Sequence, residues 1–142
     1  MSAGSYGIWQ KEIEKSPELM FPEILSRFRS GKDVLAVDYI HAWRRLRELR
    51  SLWIKKTSSY DAVILPTSQI LPPNLDRLLR DGEYYKKQNL LALKNTRIAN
   101  LLGLSALTIP TGLPSVGFML MATPNSEEKL LNMGAIIEKM LT

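Results

Sequence analysis

The chain has 142 residues, of which 45% are hydrophobic and 23% charged, and it carries a net charge of +5. That is enough for one domain with its own core, and the absence of cysteine rules out a disulfide framework, a thiolate nucleophile and a thiolate metal site. No apolar run reaches the roughly eighteen residues of a membrane span. The opening MSAGSYGIWQKEIEK lacks the charged n-region and apolar core of a secretory signal, so the expectation is a cytoplasmic protein with no membrane partner.

Ser5 to Lys15 carries Tyr6, Ile8, Trp9 and Ile13 between charges and reads as a short amphipathic packing helix. Ser16 followed by Pro17 and Glu18 resembles an N-cap with proline at the first helical position. It opens a helix whose Leu19, Met20, Phe21, Ile24, Leu25 and Phe28 make an apolar face down to Gly31. From Asp33 onward, Tyr39, Ile40, Trp43, Leu46, Leu49, Trp53 and Ile54 recur at threes and fours, predicting a long helix whose broad stripe covers a sheet or packs in a larger core. Arg44, Arg45, Arg47 and Arg50 fill its other face, with Asp38 and Glu48 interrupting them. No aromatic platform is interleaved, so this is a solvated face and no nucleic-acid partner is expected. His41, the only histidine, lies in this helix with no G-x-S-x-G turn in the chain to serve, which gives it a structural or surface role.

Asp61 to Leu65 reads DAVIL ahead of Pro66-Thr67 and predicts a short buried strand that Pro66 stops. Pro72 and Pro73 mark a loop over Ser68 to Asn74. Asn74 is an N-cap for a short helix to Arg80, Asp81-Gly82 turns the chain, and Tyr84 to Leu102 predicts a second long helix. Thr96 and Asn100 share one face of that helix, and Gly103 ends it. Ala106 to Ile109 and Val116 to Ala122 follow as strands. Pro110-Thr111-Gly112 and Leu113-Pro114-Ser115 form so short a connection between them that they pair antiparallel. A last helix begins near Asn125, with Asn125 and Glu128 as a capping box and Leu130, Leu131, Met133, Ile137 and Met140 as its buried face. No internal repeat or linker divides the chain, so residues 1–142 are expected to form a single domain.

The residue types exclude much chemistry. One histidine and no cysteine make a metal site improbable, and no Gly-rich loop joins a strand to a helix N-terminus, so no metal and no cofactor is expected. Asp33, Asp38, Asp61, Asp76 and Asp81 sit where caps, turns and surfaces want acids rather than as an acid/base pair.

The order of motifs is more specific than any one of them. Asp61-Ala-Val-Ile-Leu-Pro66-Thr67, then Asn95-Thr96, then Asn100-Leu101-Leu102-Gly103 and the strand ending Pro110-Thr111-Gly112, resembles the C-terminal part of the amidase signature family. The stretch from Gly31 to Arg50 and the closing helix with Glu138 agree, so the resemblance covers nearly the whole chain. It implies an α/β fold: a partial amidase-signature mixed sheet covered by helices, incomplete in this chain. It also implies amide hydrolysis by a Ser/cis-Ser/Lys triad carried partly on a G-S-S-G-G-S-type stretch in the N-terminal half. No such stretch occurs here, so the resemblance places no catalytic residue in this chain. The family's G-L-P-x-G-x-Q pattern is also shortened, Leu113-Pro114-Ser115-Val116-Gly117-Phe118-Met119 lacking the glutamine.

Without a base to take its proton, Ser105, Ser115 or Ser126 is no nucleophile. What the chain can contribute is pocket wall. Thr67, Ser68 and Gln69 emerge just past a strand end, where open α/β sheets bind ligands, while Thr96, Asn100, Gly103, Pro110 and Gly112 support the strand pair. The expected partners are an N-terminal amidase portion or a second copy of the chain, with a small-molecule amide bound only in the complete enzyme. The competing reading is a non-catalytic, self-associating module built on the same half-fold, and a third is weak binding of an anionic partner by the arginine-rich helix.

Overall fold

Residues Ser2–Leu141 are described by the structure, a computed structural model, as helices and one small antiparallel sheet. They fall into two compact units, the first ending at Arg45 and the second beginning at Leu46.

In the first unit, α1 (Ser2–Lys15) buries Tyr6 and Ile13, while Ile8 and Trp9 are exposed. The single helix expected from Ser16 to Gly31 is instead two pieces. A 3-10 helix spans Pro17–Leu19, Met20 and Phe21 are extended, and α2 (Pro22–Arg29) restarts at a second proline. Pro22 is the cause, because the residue before a proline is pushed out of the helical region, and Phe21 sits at ψ 128. Ser16 makes no side-chain cap, and Leu19, expected on the buried face, is 82% exposed. Gly31 follows the α2 end, where a Cβ would run into the backbone carbonyl of Ser2.

Glu14 ties α1 to α2. Its carboxylate accepts from Arg29 Nε at 3.0 Å and Arg29 Nη2 at 2.7 Å, from the Tyr6 hydroxyl at 2.9 Å, and faces Lys32 Nζ at 3.4 Å. The Arg29 hydrogen bonds, then that of Tyr6, hold its pKa down from 4.5 to about 2. A depressed carboxylate stabilises the folded form above its unfolded pKa, and this is lost as pH falls through the folded one. The α1–α2 pair is therefore expected to loosen between about pH 4.5 and 2. Helicity followed by circular dichroism should show an acid transition in this window that Glu14→Gln removes.

The unit boundary falls within α3 (Ala36–Thr57). In the first unit Tyr39 packs edge-on against Trp43, ring centroids 6.2 Å apart, and His41 is exposed.

The second unit is built on a three-stranded sheet in the order β1 (Val63–Pro66), β3 (Gly117–Ala122), β2 (Ser105–Pro110). Both neighbours run antiparallel to β3, with Leu120 opposite Ile64 on one side and Leu107 on the other. The sheet is covered on two faces. Leu130 of α7 (Glu127–Leu141) packs with Ile109, Leu120 and Ala122 on one, while Ala99 of α6 (Thr96–Leu102) packs with Met119 and Met121 on the other, flanked by Trp53, Val63 and Leu65. Gly134 lets α7 approach β2 closely, since a Cβ there would lie 2.5 Å from Leu107 Cδ2.

Between β1 and α6 run α4 (Leu75–Arg80) and α5 (Gly82–Ala92). Asn74 caps α4 as expected, accepting from Arg77 N–H at 2.9 Å, and Asp81 caps α5 in the same way through Tyr84 N–H. The helix expected over Tyr84–Leu102 breaks between Ala92 and Thr96, although neither glycine nor proline lies there. Lys94 N–H bonds to Leu91 O, three residues back rather than four, which closes a tighter turn at the break.

The start of α7 also differs from expectation. Asn125 has φ 63, a left-handed conformation that an N-cap does not take. Ser105 of β2 supplies the cap instead: its hydroxyl accepts from Ser126 N–H at 3.0 Å and donates to Glu127 Oε1 at 2.9 Å. Leu131 and Met140, expected to be buried, are 60% and 79% exposed.

Candidate functional site

The alternation of the antiparallel ladder decides what the end of β1 can do. Thr67 N–H donates to Gly117 O at 2.9 Å, so Thr67 turns its backbone toward β3 and Pro66 turns its own away. Pro66 has no N–H to offer, and its carbonyl accepts from Asn95 Nδ2 at 2.6 Å. Asn95 is buried, 7% exposed, at the break between α5 and α6. The tightened turn thus carries a side chain that holds the strand end.

Past Pro66 the three residues expected as pocket wall adopt distinct roles. The Thr67 hydroxyl donates to Thr108 Oγ1 at 3.3 Å across the sheet. The Ser68 hydroxyl accepts from Ile70 N–H at 3.3 Å, turning the chain, and Gln69 is exposed. All three line a cavity of about 510 Å³, closed on its other side by Thr108 and Pro110 of β2 and by Leu113, Ser115 and Val116 of the hairpin turn. Gly117 forms part of its floor: a Cβ there would lie 3.1 Å from Ile109 O and 3.2 Å from Thr108 Cγ2.

The turn between β2 and β3 uses two left-handed residues, Gly112 at φ 79 and Ser115 at φ 60. Thr111 closes it twice, its N–H and its hydroxyl both donating to Val116 O at 3.2 and 3.0 Å. Pro110 ends β2 opposite Gly117.

The remaining expected support residues lie at α6. The Thr96 hydroxyl donates to Leu93 O at 3.3 Å, Asn100 is exposed, and Gly103 is left-handed at φ 69. Gly103 N–H reaches Asn100 O and Leu104 N–H reaches Ala99 O, the paired bonds of a glycine-terminated helix. Arg50 of α3 completes the end, donating from Nε at 3.1 Å and Nη2 at 2.8 Å to Leu101 O, a cation placed at the negative end of a helix. From the sequence, Thr108 and Gly117 carried no role, and Arg50 was expected on a solvated face, whereas it is half-buried against Leu101 O. Asn95 had a signal, its place in the Asn95-Thr96 pair.

No lining residue of the cavity is charged, and none is a histidine. Hydroxyls are present without a base to activate them, so the arrangement can bind but holds no activated nucleophile. Ser105 is occupied by Ser126 and Glu127. Among the described residues no cluster of three or more His, Asp and Glu could hold a metal, and no helix is long and apolar enough to cross a membrane.

The family model described as Amidase matches residues 6–131. The chain is 30% identical over 128 residues to a 2-amino-5-chloromuconic acid deaminase of Comamonas testosteroni, a match over 87% of this chain and 28% of that protein. It is also 30% identical to a glutamyl-tRNA(Gln) amidotransferase subunit of Saccharolobus solfataricus, over 96% of this chain and 30% of that protein. A crystal structure of an amidase superposes on 99% of this chain and 33% of its own with a TM-score of 0.76 at 20% identity, a likeness of fold. The chain thus spans about a third or less of the proteins it matches.

Proposed function

Since this chain belongs to the amidase family, whose model its residues 6–131 match, we propose that it works as the C-terminal part of an amidase cleaving the C–N bond of carboxamides. In this reading the nucleophile and its base belong to an N-terminal portion, and this chain contributes Thr67, Ser68 and Gln69 to the wall of the substrate pocket. The carrying observation is the coverage: 96% of this chain matches a relative of which it covers 30%.

Two features of the second unit support it. The outer edge of β2 carries no charged residue and ends in a proline that can still accept a hydrogen bond, so the backbone groups of Ala106 and Thr108 are left ready to pair with a further strand. An apolar groove of about 500 Å³ along Leu46, Leu49, Leu52, Trp53, Ile98 and Leu101 is open in this chain and suits burial under another part of a larger sheet protein.

The reading is tested by hydrolysis of a primary amide, followed as released ammonia, for the chain alone and after mixing with the N-terminal portion of an amidase. The expected result is no release from the chain alone and, from the mixture, a rate on the order of 10⁶-fold or more above the uncatalysed one. Release by the chain alone would overturn the assignment of the nucleophile. A stable homo-oligomer that neither binds the N-terminal portion nor gains activity would favour the self-associating module instead.

A further inference from the structure

We infer that the cavity at the end of β1 takes the uncharged part of a substrate, a neutral carboxamide on a small alkyl or aryl acyl group, and discriminates against amides that carry a carboxylate. This deepens the amidase reading and rests on it.

The lining decides the charge. Apart from Gly117, it consists of prolines and aliphatic side chains with five polar residues, Thr67, Ser68, Gln69, Thr108 and Ser115. Sites for small molecules commonly combine an apolar wall with a few oriented polar groups in a volume of ~300–1,000 Å³, and this cavity of about 510 Å³ has that form. A carboxylate drawn into it would lose water and find no arginine, lysine or histidine among the lining residues to replace it, a cost that a neutral amide escapes.

The hydrogen-bond inventory matches an amide. The Thr67 hydroxyl donates to Thr108, which leaves the Thr108 O–H to point elsewhere as a donor. The Ser68 oxygen already accepts from Ile70 N–H, so its O–H is likewise left as a donor. These two donors suit a carbonyl oxygen. The Gln69 side chain offers both a carbonyl and an NH₂ group, the complement of a primary carboxamide.

The experiment titrates the isotope-labelled chain, mixed with the N-terminal portion of an amidase whose nucleophilic serine is replaced by alanine, with benzamide and with succinamate, a primary amide bearing a carboxylate, and follows backbone amide signals by NMR. Benzamide is expected to move the signals of Thr67, Ser68, Gln69 and Thr108 and to bind at least tenfold more tightly than succinamate. Gln69→Arg, a change at an exposed loop position, is expected to raise succinamate affinity at least tenfold. Succinamate binding as tightly as benzamide to the unaltered chain overturns the inference. So does a failure of benzamide to move these signals at its solubility limit, or a Gln69→Arg chain no better at binding succinamate. Hydrolysis by the reconstituted mixture without this preference overturns this inference alone, whereas the preference without hydrolysis overturns the amidase reading.

Discussion

Leu120→Ala is expected to lower the unfolding free energy by about 2–5 kcal/mol, the cost of removing buried methyl groups and leaving a cavity behind. Leu120 is 0% exposed in the middle strand, packed with Ile109, Ala122 and Leu130. It sits opposite Ile64 and Leu107 in the ladders, so neighbours on both sides restrict collapse into the space. Against a total stability on the order of 5–15 kcal/mol for a domain, the loss is a large fraction. Urea unfolding should show a clearly lower midpoint. Leu131→Ala, at a 60% exposed position of α7, is the control and should change stability by no more than about 0.5 kcal/mol. Equal effects at the two positions would mean that the core has been placed wrongly.

Asn95→Leu is expected to cost about 1–3 kcal/mol, because it keeps the approximate size of the side chain while leaving the Pro66 carbonyl without its donor. Asn95→Asp should be at least as harmful, since it turns an acceptor, and a charge, toward that carbonyl. Thr96→Ala removes a long 3.3 Å bond to Leu93 O on the same turn and should cost less than either. The distinguishing readout is local. With Asn95 replaced, the NMR signals of Thr67 and Ser68 should move, because the strand end that precedes them is no longer held. Unchanged signals would show that Asn95 does not position this wall of the cavity.

The strands were legible because each is a short apolar run between turn residues. DAVIL before Pro66 and the two runs flanking Pro110 to Ser115 became β1, β2 and β3, with the antiparallel hairpin as expected, but β1 runs on through Pro66 and, as an edge strand, is half-buried rather than buried, with Ile64 61% exposed. Gly103 and Asn74 were legible for the same local reason, a backbone requirement carried by one residue type. What could not be read was set by partners distant in sequence. The break at Leu93–Asn95 has no glycine or proline to announce it, and Asn95 finds its partner at Pro66. The cap of α7 comes from Ser105 on β2 rather than from Asn125 beside it. The break at Phe21 was available in Pro22, but the apolar run from Leu19 to Phe28 outweighed it. Periodicity showed which residues of α7 share a face but not how wide a face β2 and β3 would cover, which is why Leu131 and Met140 are exposed.

The middle position of β3 has a consequence for measurement. Its backbone groups alternate between β1 and β2, and its side chains are packed on both faces, with Met119, Leu120 and Met121 all nearly inaccessible. Fraying either edge strand frees only half of its amides and uncovers neither core entirely. Proton exchange with solvent at Met121 therefore waits on β1 and at Leu120 on β2, and where the two rates coincide they report the stability of the whole second unit rather than of one strand.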